Sequence, residues 1–262
     1  MSLNHTKNFA AGYGPWAVVT GSSSGIGQEL ALQIAARGLN VCLSGRDANR
    51  LNATARIIHT MGRKTLIVAG DLAQPAGVAA LLDASSGLEV GLLVPAAGFG
   101  SGGAFLDSSA TEQSEMIALN CTCVMTMVHH YAPPMVKRGH GGVMLIASLL
   151  AFQGTPYAAH YAATKAYVQC FGEALNVELA GTGVHVLVTS PGPTETGFAE
   201  RARMRLGKTM SASTVAKASL DALGRSGTLL PGGLTKALRG AMFGLPRGTK
   251  VWMMGRIMKG MT

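Results

Sequence analysis

The run "WAVVTGSSSGIGQELALQIAARG", Trp16 to Gly38, carries the decision on fold. Trp16–Thr20 is a short β-rich stretch, and from Gln28 onward apolar residues recur at helical spacing until Gly38 closes the run. Between the two lies "TGSSSGIG" (20–27). In a strand–turn–helix unit Gly21 permits a tight turn, Gly25 lets a phosphate approach the backbone, and Gly27 lets helix and strand pack closely. The turn, through Ser23, Ser24 and Ile26, then presents free N–H groups and a partial positive charge to a pyrophosphate. A dinucleotide site is the expected use. The spacing here is Gly-x-x-x-Gly-x-Gly, not the tighter Gly-x-Gly-x-x-Gly.

Outward from this unit the alternation continues. "NVCLS" (40–44), "KTLIVAG" (64–70), "EVGLLV" (89–94), "VMLIAS" (143–148) and "VHVLVTS" (184–190) read as strands. Helical runs follow them at "ANRLNATARIIHTMG" and "PAGVAALLDAS", over roughly 111–136 (stopped near "APPMVKRGHGG"), and at "AAHYAATKAYVQCFGEALNVEL". Strands alternating with helices of this length imply parallel pairing with right-handed crossovers. The expectation is one α/β domain over 1–262, a doubly wound parallel sheet of about seven strands with helices on both faces. Ligands in such sheets bind at the carboxyl ends of the strands.

Composition narrows the class. Of 262 residues 48% are hydrophobic and only 13% charged, which excludes a disordered chain and leaves apolar surface for a partner or a lipid-like substrate. No run reaches the ~18 apolar residues of a membrane span, and "MSLNHTKNFAAGYGPW" lacks the apolar core of a signal peptide, so a cytoplasmic location is expected. Cys42, Cys121, Cys123 and Cys170 form no Cys-x-x-Cys pair, so they read as reduced thiols and no metal site is expected. The net charge of +9 is uneven: after Glu200 the only acid is Asp221. The basic residues are spaced rather than clustered, which argues against nucleic acid.

"YAATK" puts Tyr161 and Lys165 one helical turn apart, roughly 5–6 Å at Cβ. Alone the pair reads as a long side chain lying along a helix. With Ser148 thirteen positions before Tyr161, Asn120 in "IALNC" and the Gly-rich turn, the chain resembles the short-chain dehydrogenase/reductase family over about 14–198. The resemblance implies a Rossmann-type fold and an NAD(P)-dependent carbonyl reductase or alcohol dehydrogenase. It implies catalytic roles for Asn120, Ser148, Tyr161 and Lys165. Tyr161 is the acid–base group, tuned by the Lys165 cation, which also binds the nicotinamide ribose. Ser148 holds the substrate oxygen, and Asn120 holds a water linking Lys165 to solvent.

The same resemblance assigns cofactor contacts to Asp71 and Leu72 in "GDLA", to Ala97 and Gly98, and to Pro191, Gly192, Thr194 and Thr196 in "PGPTET". An acid at the end of the second strand would select NAD(H). Here Gly45 takes that place and Arg46 follows, which favours NADP(H), although a shift of register to Asp47 would reverse the sign. Pro95 and Ala96 replace a family Asn-Asn and remove two amides that brace the central sheet. Related branches include bacterial oxidoreductases of unassigned substrate, 3-oxoacyl-CoA reductases and 17-beta-hydroxysteroid dehydrogenases.

Two variable segments remain. A substrate-covering loop is expected over 192–215, where Arg201, Arg203, Arg205 and Lys208 form a solvated face or meet a carboxylate or phosphopantetheine-linked acyl substrate. A basic helical tail is expected over 232–262, with Val251, Met254, Met258 and Met261 on one stripe. It packs in the core or on another subunit, or lies peripherally on an anionic membrane. The expected partners are a small apolar or acyl carbonyl or alcohol substrate and further copies of the chain, as homodimer or homotetramer. The rival reading is a non-catalytic dinucleotide-binding sensor on the same fold.

Overall fold

The computed structural model describes residues 9–202, 204, 207 and 209–261. The first eight residues lie outside the described residues, as do Arg203, Arg205 and Lys208.

β1 (Trp16–Thr20) leads into α1 (Gly25–Ala36), β2 (Asn40–Gly45), α2 (Ala48–Thr60), β3 (Thr65–Ala69), α3 (Pro75–Ala84) and β4 (Val90–Pro95). Then come α4 (Ala110–Ile117), a π-helical turn (Ala118–Thr122) and α5 (Cys123–Arg138), which replace the single α-helix expected over 111–136. β5 (Gly141–Ile146) and a 3₁₀ turn (Leu149–Phe152) precede α6 (Ala159–Glu178) and β6 (Val184–Thr189). The remainder comprises β7 (Thr194–Glu195), α7 (Phe198–Arg201), β8 (Met210–Ser211), α8 (Ala212–Ala222), β9 (Thr228–Leu229), α9 (Gly233–Ala241) and α10 (Arg247–Lys259).

Seven strands form one parallel sheet in the order β3-β2-β1-β4-β5-β6-β9, while β7 and β8 pair separately. The order runs outward in both directions from β1 and β4, so the crevice of a doubly wound sheet opens at their carboxyl ends. Burial on both faces explains the near-continuous apolar strands. Along β1, Ala17 and Val19 enter one core layer with α1 and α2 residues, and Val18 enters the other with α5 and α6.

Two local features bear on the site. The α5 helix continues through Pro133 and Pro134, because the carbonyls these prolines leave unbonded belong to exposed His129 and His130 and can be hydrated. Gly139 then ends it in the left-handed region at φ 74°. Pro95 stands at the end of β4 opposite Thr20, and β4 pairs with β5 at only two positions, against six between β5 and β6. The lost amides are partly replaced: the Ala97 N–H donates to the Thr20 hydroxyl at 3.0 Å, and that hydroxyl is fully buried.

Candidate active site

At the carboxyl ends of the strands the chain forms one cavity of about 660 Å³. One arm follows the β1–α1 turn. Gly21 is left-handed at φ 65°, and a Cβ there would sit 2.9 Å from the Ala97 backbone, while one on Gly27 would sit 2.4 Å from the Gly21 carbonyl. These are the tight turn and the close packing expected of them. Ser24 is extended before the first turn of α1 and its side chain makes no cap bond, which leaves the helix N–H groups directed into the cavity. This cradle of bare backbone and open amides fits a pyrophosphate, and Ser23, Gly25 and Ile26 line it.

Of the serines in the turn, Ser22 is not available to a ligand. It is buried and its hydroxyl donates to the Ser44 carbonyl, tying the turn to β2. Ser23 stays available because of its neighbour: a Cβ on Gly45 would come within 3.2 Å of the Ser23 hydroxyl oxygen. Arg46 follows on the exposed rim. Asp47 is occupied, capping α2 by accepting from the Arg50 N–H at 3.0 Å and pairing with the Arg50 guanidinium at 3.2 Å. The register is therefore the one in which Gly45 closes the strand.

Asp71 and Leu72 line the next part of the wall, where the Asp71 carboxylate accepts from the Ala73 N–H at 3.0 Å. A smaller recess shared by Arg46, Asp71 and Phe99 is closed from the far side by Arg201, whose guanidinium lies 5.4 Å from the Phe99 ring centre. Burial lowers the Arg201 pKa, and so does repulsion from Arg46, while Asp71 raises it. Sequence reasoning saw Arg201 as a surface or substrate cation; its place beside Arg46 and Asp71 depends on how the loop folds back.

The four proton-transfer candidates meet at the centre. Ser148 lies two residues past the end of β5 rather than on it, and its hydroxyl accepts from the Leu150 N–H at 3.2 Å, starting the 3₁₀ turn. Tyr161 and Lys165, both on α6, point to the same wall, with the Lys165 nitrogen 5.9 Å from the Tyr161 ring centre and donating to the Ile146 carbonyl at 2.8 Å. Burial pushes the Tyr161 phenol up to about 12, while a hydrogen bond with Ser148 pulls it down. Burial pulls Lys165 down to about 8. At the phenol, burial thus outweighs the Ser148 hydrogen bond.

Asn120 sits in the π turn, fully buried. Its amide donates to the Phe99 carbonyl at 2.9 Å and to the Thr164 hydroxyl at 3.0 Å, and its oxygen accepts from the Phe99 N–H at 3.2 Å. The side chain fastens the loop after β4 to α6. Gly98 is forced by this closeness: a Cβ there would lie 2.9 Å from the Asn120 oxygen and 3.5 Å from the Lys165 nitrogen. Beyond the center, the Pro191 carbonyl accepts from the Leu149 N–H at 2.8 Å. Thr194 donates to the Gly192 carbonyl at 3.0 Å, and Thr196 accepts from the Phe198 N–H at 3.2 Å, keeping its own proton to give.

The other arm is apolar. Leu150, Met204, Met242, Met254 and Met258 line it, so the tail's methionine stripe packs on its own chain over the cavity. Phe198 covers Tyr161 with ring centres 5.3 Å apart. One polar side chain breaks this wall: Gln153, buried, whose amide nitrogen has no acceptor. Its sequence context, a lone Gln in a loop, carried no signal. Among the described residues no cluster of His, Cys, Asp or Glu suits a metal, and no helix is long and apolar enough to cross a membrane.

Comparison with known proteins agrees with this geometry. The family model for short chain dehydrogenases matches residues 15–206. A 7beta-hydroxysteroid dehydrogenase of Clostridium sardiniense is 30% identical over 87% of this chain and 90% of its own. A solved structure described for 7beta-hydroxysteroid dehydrogenase stereoselectivity superposes with a TM-score of 0.87 at 25% identity, covering 94% of this chain and 98% of that one. A short-chain dehydrogenase from Sphingobium yanoikuyae, in complex with NADPH, superposes at 0.77 with 29% identity, covering 89% and 97%.

Proposed function

This chain belongs to the short-chain dehydrogenase/reductase family and is an NAD(P)-dependent oxidoreductase; from that premise we propose that it interconverts an apolar carbonyl compound and its secondary alcohol, with NADP(H) preferred and Tyr161 as the acid–base group. The observation that carries the reading is the junction of Tyr161, Ser148 and Lys165. It lies where the glycine-lined arm of the cavity meets the apolar arm.

Hydride transfer to or from carbon is the chemistry a nicotinamide supplies when bound; the proton falls to the protein. With its pKa near 12 the Tyr161 phenol is fully protonated at neutral pH, as a reductase's acid needs to be. In reduction it gives that proton to the oxygen of the substrate, on which negative charge develops. Ser148 donates to the same oxygen. The phenolate left behind is stabilised by the Lys165 ammonium, one helical turn along α6. Asn120 acts by position, keeping the loop of Gly98 and Phe99 against α6 so that Lys165 stays at the junction. The full set favours an enzyme over a sensor, which has no use for a proton donor beside a substrate pocket.

The methionine-lined arm suits a bulky apolar substrate, since thioether side chains adapt to shape. Gln153 adds one donor for a second oxygen on that substrate. Two of the relatives named above are described as 7beta-hydroxysteroid dehydrogenases, and a steroid or an acyl chain with a second oxygen fits these requirements. Homo-oligomers are expected, and exposed Ile117, Met125, Tyr167 and Val177 on α4 to α6 offer an apolar face for pairing.

The test is NADPH oxidation against oxosteroids, bulky ketones and 3-oxoacyl thioesters, repeated with Tyr161→Phe. We expect turnover of at least one apolar ketone, lost in the variant while NADPH affinity stays within a few-fold. Near-normal turnover by Tyr161→Phe would refute the mechanism.

A further inference from the structure

The outer side of the lid has a character that neither the cavity nor the sheet explains. After Asp221 the sequence contains no acid, yet α9, α10 and their link carry Lys236, Arg239, Arg247, Lys250, Arg256 and Lys259. Among the described residues none of these six meets a carboxylate. Large apolar side chains share the surface: Phe243 is 80% exposed, Trp252 60% and Ile257 47%.

Their arrangement on α10 is ordered. Trp252, Arg256 and Lys259 recur at i, i+4 and i+7, so they share one helical face, and all three are exposed. The Arg256 guanidinium lies 4.8 Å from the Trp252 ring centre. The opposite face carries Met254 and Met258, buried over the cavity. Ile257 belongs to both surfaces, lining the cavity while nearly half exposed, and exposed Phe243 directly follows Met242, another lining residue. The apolar interior is thus continuous with the exposed apolar surface at the lid.

We propose that α9 and α10 dock this enzyme on an anionic lipid surface, and that the substrate arm fills from the lipid side. Uncompensated positive charge complements anionic headgroups, and each Lys or Arg near such a surface adds attraction. Trp beside cations settles at headgroup depth, one end apolar and the other polar, and Phe adds apolar surface to bury in the acyl boundary. No helix of the described residues can span a bilayer, so the contact is peripheral. The docking rests on this surface alone. Substrate entry from lipid rests also on the apolar substrate proposed above.

The full-length protein is floated with vesicles of phosphatidylcholine alone, or carrying about one-third phosphatidylglycerol. The variants are Phe243→Ser/Trp252→Ser and Lys236→Gln/Arg247→Gln/Arg256→Gln/Lys259→Gln, none of which alters a residue of the catalytic junction. We expect binding to the phosphatidylglycerol vesicles only, weakened at least tenfold by the aromatic pair, about a hundredfold by the four charge removals, and by added salt. Absence of binding, equal binding to both vesicles, or wild-type binding by either variant overturns the proposal. So does a smaller assembly mass by light scattering in the aromatic variant, which would make this face a subunit contact. NADPH oxidation with a water-soluble ketone in vesicle-free buffer is read separately. If the variants retain it while vesicle binding fails everywhere, the docking falls and the oxidoreductase reading stands.

Discussion

At the scale of single residues, burial decides the chemistry at the junction. Lys165 is driven down to about 8 from the ordinary lysine value of 10.5, and Tyr161 up to about 12. Across the working range the phenol therefore stays protonated, and the group that titrates is the amine. Reduction needs the amine charged, so kcat/KM for reduction should be flat below about pH 8 and fall above it. A profile at saturating NADPH that stays flat to pH 10 would remove Lys165 from the mechanism. Stability carries the opposite sign. Between about 8 and 10.5 the unfolded chain binds the Lys165 proton more tightly than the folded one, so stability rises with pH across that window. Below 8 the full penalty of burying the amine applies. Lys165→Met should accordingly melt higher than wild type at pH 7, with the gap closing toward pH 10.5, while losing turnover. A melting temperature that is lower at pH 7 would show that the bond to the Ile146 carbonyl outweighs desolvation.

Elements show how function is spaced along the chain, and also what a sequence conceals. The strand–turn–helix of 16–38 was legible because its signals are local: periodicity, glycine and a strand-end position. Asp47 was ambiguous in sequence because a register is a pairing of strands, and only the pairing of Gly45 with Ala69 shows where β2 ends. The π turn at Asn120 was invisible, since no side-chain pattern distinguishes one widened turn in a helix. Nor did "LPRGTKVWMMGRIMKGMT" reveal that its methionines lie over the cavity, a contact between distant parts of the chain. Gly100 belongs with these. A Cβ there would come within 2.8 Å of the Tyr161 ring and 2.9 Å of Phe198, so the loop after β4, the catalytic helix and the short α7 meet at a point with room only for hydrogen. Gly100→Ala should cost about 1–3 kcal/mol of stability through overpacking. It should lower kcat by ten- to a hundredfold because Tyr161 is displaced, with NADPH affinity within a few-fold because the turn at 20–27 is untouched. Kinetics and a cofactor titration on the one variant check all three; unchanged kcat would mean that Phe198 swings away freely.

For the whole molecule, cofactor choice becomes a question of folding free energy. At this rim Arg46, Arg50 and Arg201 face Asp47, Asp71, Glu112 and Glu115, and Asp47 is already paired with Arg50. Arg46 makes no ion pair among the described residues, so its guanidinium is open to an anion. A 2′-phosphate brings nearly two negative charges to this rim, and a charge-assisted contact is worth about 1.5–3 kcal/mol, or roughly ten- to a hundredfold in affinity. A ligand that binds only the folded chain stabilises it. At a hundred times its Kd, NADPH should add about 2.7 kcal/mol and raise Tm by about 5–10 °C for a protein of this size. NADH at the same concentration, bound ten- to a hundredfold less tightly, should add only about 0.4–1.4 kcal/mol. Arg46 is exposed and bears no part of the core, so Arg46→Ala should leave the ligand-free Tm unchanged and bring the NADPH shift toward that of NADH. Arg201→Ala should do the same to a smaller degree, because its guanidinium also rests on Phe99. Thermal melts of wild type and both variants with each cofactor decide the matter. Equal shifts with NADPH and NADH in the wild type would mean that the three arginines do not read the phosphate, and that Ser23 or the capped Asp47 meets a free ribose instead.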